Sequence, residues 1–265
     1  MTTPHLRRLS TVLGAVVLGT VGVLCAVLLP TSATTGSPVS AAPRPGTDAD
    51  TRFTAVGDGS LPEDSPRLRA PHEPLSSAER GFAYYLARDA MPATTRDVSG
   101  ERGGELLAAD LPPLEQRTSA RLATVALYDY ASDELHQLLL DLTNEVVVQD
   151  ETTKGLQLPP TEAETATALE LAITAKPAPA FVGQYRTMNG VPLITAGQVS
   201  AVGGAWRPVD GRRLPPGTER CGQHRCVQLL IALPTGEYLD TNEIVVDLST
   251  RTVLRSDVEE QRNAH

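Results

Sequence analysis

The feature that most restricts how this chain can fold is a duplication. Leu139-Leu140-Asp141-Leu142-Thr143 returns as Val245-Val246-Asp247-Leu248-Ser249, and each phrase follows, at a distance, the same helix-start signal. In Ser76-Ser77-Ala78-Glu79 and Thr161-Glu162-Ala163-Glu164 a hydroxyl stands three positions before a glutamate, so the two side chains can satisfy N–H groups left free at a helix start. Ala78, Phe82, Tyr85 and Leu86 then give one apolar face until Pro92 stops the helix. In the second half Ala166, Leu169 and Ile173 line a face that ends at Pro177.

Strand signals follow each helix. After a glycine-rich loop at Gly100–Gly104, Leu122–Tyr130 reads as a strand and Ala131-Ser132-Asp133 as its turn. His136, Leu138, Leu140 and Leu142 alternate along a second strand, and Val146-Val147-Val148 forms a third. Later, Val227, Leu229, Ile231 and Leu233 alternate, Pro234-Thr235-Gly236 turns, and Ile244, Val246 and Leu248 alternate again. Asp141 and Asp247 are expected to fold back onto their turn backbones rather than act as acids. The predicted fold class is α+β: two units, 74–158 and 159–256, each a helix packed on an antiparallel sheet.

Ahead of them, Arg7-Arg8 precedes Leu9–Leu29, a run of 21 residues without a charge. That length suits a spanning helix, which needs about 17–25 residues, while Thr31-Ser32-Ala33 offers small residues for signal cleavage. Residues 1–33 therefore read as a signal peptide or a membrane anchor with its N-terminus inside, and the folded part is extracytoplasmic in both cases. A twin-arginine signal lacks its usual following residues, and Cys25 reads as a buried membrane thiol. The Pro/Gly/Ser/Thr/Asp-rich stretch 34–73 reads as a disordered linker, since its scattered apolar residues cannot offset ordering entropy, and 257–265 as a disordered tail.

The chain carries a formal charge of −9, and removing residues 1–42, which hold two arginines and no acid, leaves about −11. No basic cluster interleaved with aromatics is present, which excludes nucleic acid as a partner. Only Lys154 and Lys176 stand against 21 arginines, a composition typical of a GC-rich, actinobacterial genome.

Ala123-Thr124-Val125-Ala126-Leu127-Tyr128-Asp129-Tyr130, with Gln137–Val147 and Leu156–Glu164, resembles the non-catalytic N-terminal domains of copper amine oxidases. There a hairpin ending in a Val-Asp-Leu-Thr phrase leads into Pro-Pro-Leu-Thr-x-x-Glu and a helix on a cystatin-like α+β fold. The likeness runs on through Ala180-Phe181, Asn189-Gly190 and Ala205-Trp206, covering about residues 74–256. Small exported actinobacterial proteins that carry such modules alone are similar too. The oxidase reaction does not carry over: there is no Asn-Tyr dipeptide to become the quinone, and His5, His72, His136, His224 and His265 form no His-x-His pair.

Cys221-Gly222-Gln223-His224-Arg225-Cys226 is the one concentration of chemistry. With Cys25 confined to the leader, two cysteines reach an oxidising compartment, and a Cys221–Cys226 disulfide is expected. The alternative is a copper(I) or zinc site made by Cys221, His224 and Cys226; a redox-active pair fits less well because the spacing is not Cys-x-x-Cys. Trp206 reads as a core plug before a binding anchor, and Tyr84, Tyr85, Tyr128 and Tyr130 as core filling before a ligand face. Asp129, Asp133 and Glu134 read as a solvated turn before a calcium site. No catalytic motif occurs and no cofactor is implied. The expected function is a non-enzymatic exported or membrane-anchored binding or scaffold protein, its partner an extracytoplasmic protein or small ligand, with the membrane engaged through the N-terminal helix if that helix is uncleaved. The alternatives are a metal-handling protein using the cysteine loop and, by fold analogy, an inhibitor of an exported enzyme.

Overall fold

A computed structural model describes residues 66–208 and 215–255. The leader 1–33, residues 34–65 of the linker and the tail 257–265 lie outside the described residues, and the described residues belong to one compact unit. Among the described residues no helix is long and apolar enough to cross a membrane.

The protein is α+β. Helix α1 (Ser77–Ala90) starts at a capping box: Ser76 Oγ accepts from the Glu79 N–H, and the Glu79 carboxylate accepts from the Ser76 N–H. Four antiparallel strands follow, β1 (Glu105–Asp110), β2 (Leu122–Asp129), β3 (Glu134–Asp141) and β4 (Val146–Lys154), in that spatial order. Helix α2 (Glu162–Thr174) repeats the capping box with Thr161 and Glu164, and a second helix, α3 (Ala180–Asn189), stops at Gly190, whose left-handed φ of 71° suits glycine. Strands β5 (Ser200–Ala205), β6 (Cys226–Ala232), β7 (Tyr238–Leu239), β8 (Ile244–Asp247) and β9 (Thr252–Arg255) complete the second sheet, ordered β5-β6-β8-β9 with β7 also on β6.

The duplication extends to register. Leu122 faces Asp141 across β2 and β3, and Cys226 faces Asp247 across β6 and β8. Four residues after each aspartate the chain turns through a left-handed residue, Glu145 at φ 57° and Arg251 at φ 54°. The aspartates make those turns: Asp141 accepts the Thr143 and Asn144 N–H groups, and Asp247 accepts that of Thr250. Apart from α3, which has no counterpart in the first copy, the copies differ in one strand. Along β6 the steps from Val227 to Ile231 are four, while their partners Val246 and Leu239 are seven apart. Strands β7 and β8 are thus the counterpart of β3 with three residues looped out, and the buried Thr241 hydroxyl fills the break by donating to the Leu229 carbonyl.

Each helix buries one face on its own sheet. Phe82, Ala83 and Ala87 of α1 meet Val125, Leu127, Leu138 and Leu140; Ala168, Leu169, Ala172 and Ile173 of α2, with Phe181 and Tyr185 of α3, meet Val227, Leu229, Ile231, Val246 and Leu248. Burying a side chain such as Phe82 contributes about 1.5–3 kcal/mol. The expected helical faces shift slightly, because Ala78 and Ala166 are exposed and the buried position at each helix start is instead the capping-box glutamate. Segment 66–73, which composition assigns to the linker, is tied down: the Arg69 N–H donates to Glu79, and the Ala70 and Glu73 carbonyls accept from Arg121.

Candidate functional site

Two buried ion pairs organise the polar interior. Arg121, one residue before β2, donates through Nε and Nη2 to the two Glu79 carboxylate oxygens at 2.7 and 2.9 Å. Arg225, one residue before β6, does the same to Glu164, both at 2.8 Å. Arg225, Glu79 and Glu164 have no exposed surface and Arg121 is 3 % exposed. Burial alone would raise the Glu79 carboxyl, but the Arg121 guanidinium and the Ser76 and Arg69 N–H groups outweigh it and hold it at about 2. The remaining guanidinium donors are satisfied as well: Arg225 reaches Gln157 Oε1 and the Leu158 and Pro159 carbonyls.

Around Arg225 the two copies meet. Its guanidinium lies 5.5 Å from the Tyr128 ring centre, and Tyr128 packs edge-on to Tyr130 at 4.9 Å. Tyr130 donates to Glu164 at 2.6 Å. Burial first, then the Glu164 charge, push its phenol well above the usual range, so it remains a donor. Glu105, at the start of β1, accepts from the Thr161 hydroxyl at 2.7 Å. Burial, reinforced by the Glu164 and Asp97 charges, raises Glu105 to about 7 against the opposing hydrogen bonds from Thr161 and Val98.

The cysteine loop lies at the same junction. Cys221 and Cys226 are joined in a disulfide beside Val245, with Trp206 and Leu254 packed against it. Trp206 is half-buried there, a cover for this small cluster rather than a plug in either main core. The alternative set of Cys221, His224 and Cys226 does not assemble, because the two sulfurs bond to each other and the His224 ring turns to Asp247, with Nδ1 2.8 Å from its Oδ2. On the other side of the ring, Nε2 lies 4.0 Å from Asp133 Oδ2. Asp133 Oδ1 is already taken by the Tyr128 hydroxyl at 3.0 Å and by the Ser249 hydroxyl. Asp133 and His224 line an open depression of about 540 Å³ with Ser132, Lys154, Gly155 and Gln223.

The expected hairpin-tip acids diverge. Asp129 accepts from the Arg96 and Ala131 N–H groups, Glu134 pairs with Lys154 at 3.3 Å, and Asp133 points across to Ser249. Tyr128 is buried and Tyr130 packs between clusters, whereas Tyr84 and Tyr85 are only half-buried. Among the described residues no group of three or more His, Cys, Asp or Glu is arranged to hold a metal ion. The Arg–Glu pairs escape a sequence reading because they close over 42 and 61 residues. Their signal was available, since an arginine directly precedes the second strand in both copies, β2 and β6.

No protein-family model matches the sequence, nor does any curated protein. Among solved structures the chain is similar to a copper-containing benzylamine oxidase from Hansenula polymorpha, at 16% identity and a TM-score of 0.42. The match covers 71% of this chain and 30% of the oxidase, so the chain spans less than a third of that enzyme's length.

Proposed function

We propose that this chain is a non-enzymatic extracytoplasmic protein that acts by binding or scaffolding, with two duplicated helix-on-sheet modules as its working part. The observation that carries this reading is the use to which the four most deeply buried charged groups are put. Glu79, Glu164, Arg121 and Arg225 are spent on two closed ion pairs whose hydrogen-bonding capacity is met inside the fold. A group held this way has no free lone pair or proton to offer a substrate. The Cys221–Cys226 disulfide supports an oxidising setting, and Arg7-Arg8 followed by Leu9–Leu29 supports export or membrane attachment.

The test is a turnover screen of the purified chain against amines, peptides and esters, alongside fractionation of expressing cells. The expected outcome is no rate above background and recovery in the membrane or the medium. Catalytic turnover that disappears on His224→Gln would overturn the non-enzymatic reading, and recovery in the cytosol with free Cys221 and Cys226 thiols would overturn the location.

A further inference from the structure

His224 lies between two carboxylates, Asp247 on one side of its ring and Asp133 on the other. Asp247, 4 % exposed, already accepts the Thr250 N–H through Oδ1, so its Oδ2 faces His224 Nδ1 as an acceptor and Nδ1 must carry the proton. On the far side of the ring, Nε2 is aimed at Asp133 Oδ2 across 4.0 Å. Asp133 cannot turn away freely: its backbone is in the left-handed region at φ 56°, and its other oxygen is held by Tyr128 and Ser249. Two potential ligand atoms, an imidazole nitrogen and a carboxylate oxygen, thus face one another beside an open depression.

We propose that His224 Nε2 and Asp133 Oδ2 form a two-residue site for a divalent transition cation of the zinc class, its remaining positions filled by water from the depression. The spacing fits. Zinc bonds to imidazole nitrogen and carboxylate oxygen are each about 2.0–2.2 Å, so an ion spans the observed gap, and a tetrahedral angle closes it to about 3.4 Å. Asp133, with 29% of its side chain exposed, opens onto the depression on that side. A carboxylate behind the ligating imidazole, here Asp247, is the arrangement that fixes tautomer and ring orientation at metal-binding histidines. The cation that lines the same depression, Lys154, is engaged by Glu134 at 3.3 Å. This site needs the disulfide intact, unlike a thiolate site, and it does not depend on the scaffold reading. Its two ligands come from different copies of the duplication, so an ion there would join the β2–β3 turn to the loop before β6.

The test is calorimetric titration of the full chain with zinc chloride in chelator-free buffer, with thiols assayed before and after. One ion per chain is expected, in the micromolar range, with no thiol beyond Cys25. His224→Gln and Asp133→Asn should each weaken binding at least tenfold, while His136→Gln, which alters the other histidine–aspartate contact, leaves it unchanged. In the unmodified protein, cobalt(II) should shift the His224 ring resonances paramagnetically, a readout that survives if a variant fails to fold. Absence of binding at about 1 mM zinc, binding retained in both variants, or cobalt shifts centred on another histidine would each overturn the site.

Discussion

Arg121 and Arg225 are counterparts. Each grips the capping glutamate of its own helix through Nε and Nη2, and each passes its backbone carbonyl to a leucine N–H, Leu142 at 2.9 Å and Leu248 at 2.8 Å. One arginine thereby joins helix start, second strand and return turn in each copy. Removing one partner strands the other charge where water cannot reach it.

Arg225→Ala should therefore cost about 3–5 kcal/mol, and Arg121→Ala a similar amount, read as a lowered midpoint in urea unfolding. Glu164→Gln together with Arg225→Met should cost less than Arg225→Ala alone, because no uncompensated charge is left inside. A loss below 1 kcal/mol for Arg225→Ala would mean that the pair does not hold the copy together.

Acid should unfold the protein partly through Glu79. Its carboxyl is held at about 2, below its ordinary 4.5. A depressed folded value contributes stability that is complete above the unfolded value and is lost as pH falls from about 4.5 through about 2. Glu79→Gln should flatten the stability–pH curve in that window while lowering stability at pH 7, as followed by urea unfolding at several pH values.

Glu105 has the opposite sign. Its carboxyl is raised from 4.5 to about 7 by burial first and then by the Glu164 and Asp97 charges, so the folded chain binds a proton that the unfolded chain releases. Its contribution is complete below about 4.5 and declines as pH rises through about 7. Glu105→Gln keeps an acceptor for Thr161 and should remove this decline, leaving the variant about 1–3 kcal/mol more stable than the parent at pH 8. An unchanged slope between pH 5 and 8 would count against a buried charge at this position.

Reducing the Cys221–Cys226 bond should lower stability by about 2 kcal/mol, the amount expected from loop-closure entropy for so short a loop. Unfolding in urea with and without dithiothreitol measures it, and the loss should be greater than for Trp206→Phe, which keeps most of the cover over the disulfide.

Much of this architecture was legible in the residues. The capping boxes at Ser76 and Thr161, the alternation along β2, β3, β6 and β8, and the Asp141 and Asp247 turns all rest on local rules that the fold obeys. What escaped notice lacks a local signal. Strand β5 is Ser-Ala-Val-Gly-Gly-Ala, poor in strand formers, and close packing explains the first of its two glycines: a Cβ on Gly203 would lie 2.5 Å from the Thr165 hydroxyl. Strand β4 runs to Lys154 although only Val146–Val148 suggest a strand, because all nine of its residues are exposed at the sheet edge and no buried face imposes alternation. Helix α3 buries only Phe181 and Tyr185, one pair of anchors and too little for a periodic pattern. At the candidate site the disulfide followed from compartment and parity, whereas the approach of Asp133 to His224 depends on how the two copies dock, which no single copy encodes.

Arg121 holds more than its glutamate, since the Ala70, Glu73 and Pro74 carbonyls also rest on its guanidinium. If the protein is tethered through its N-terminal side, traction along the chain arrives at this clasp before it reaches any strand. The load is then shared among several parallel hydrogen bonds on one charged plane, and the first mechanical event is release of the lead-in from Arg121 rather than the unzipping of a sheet.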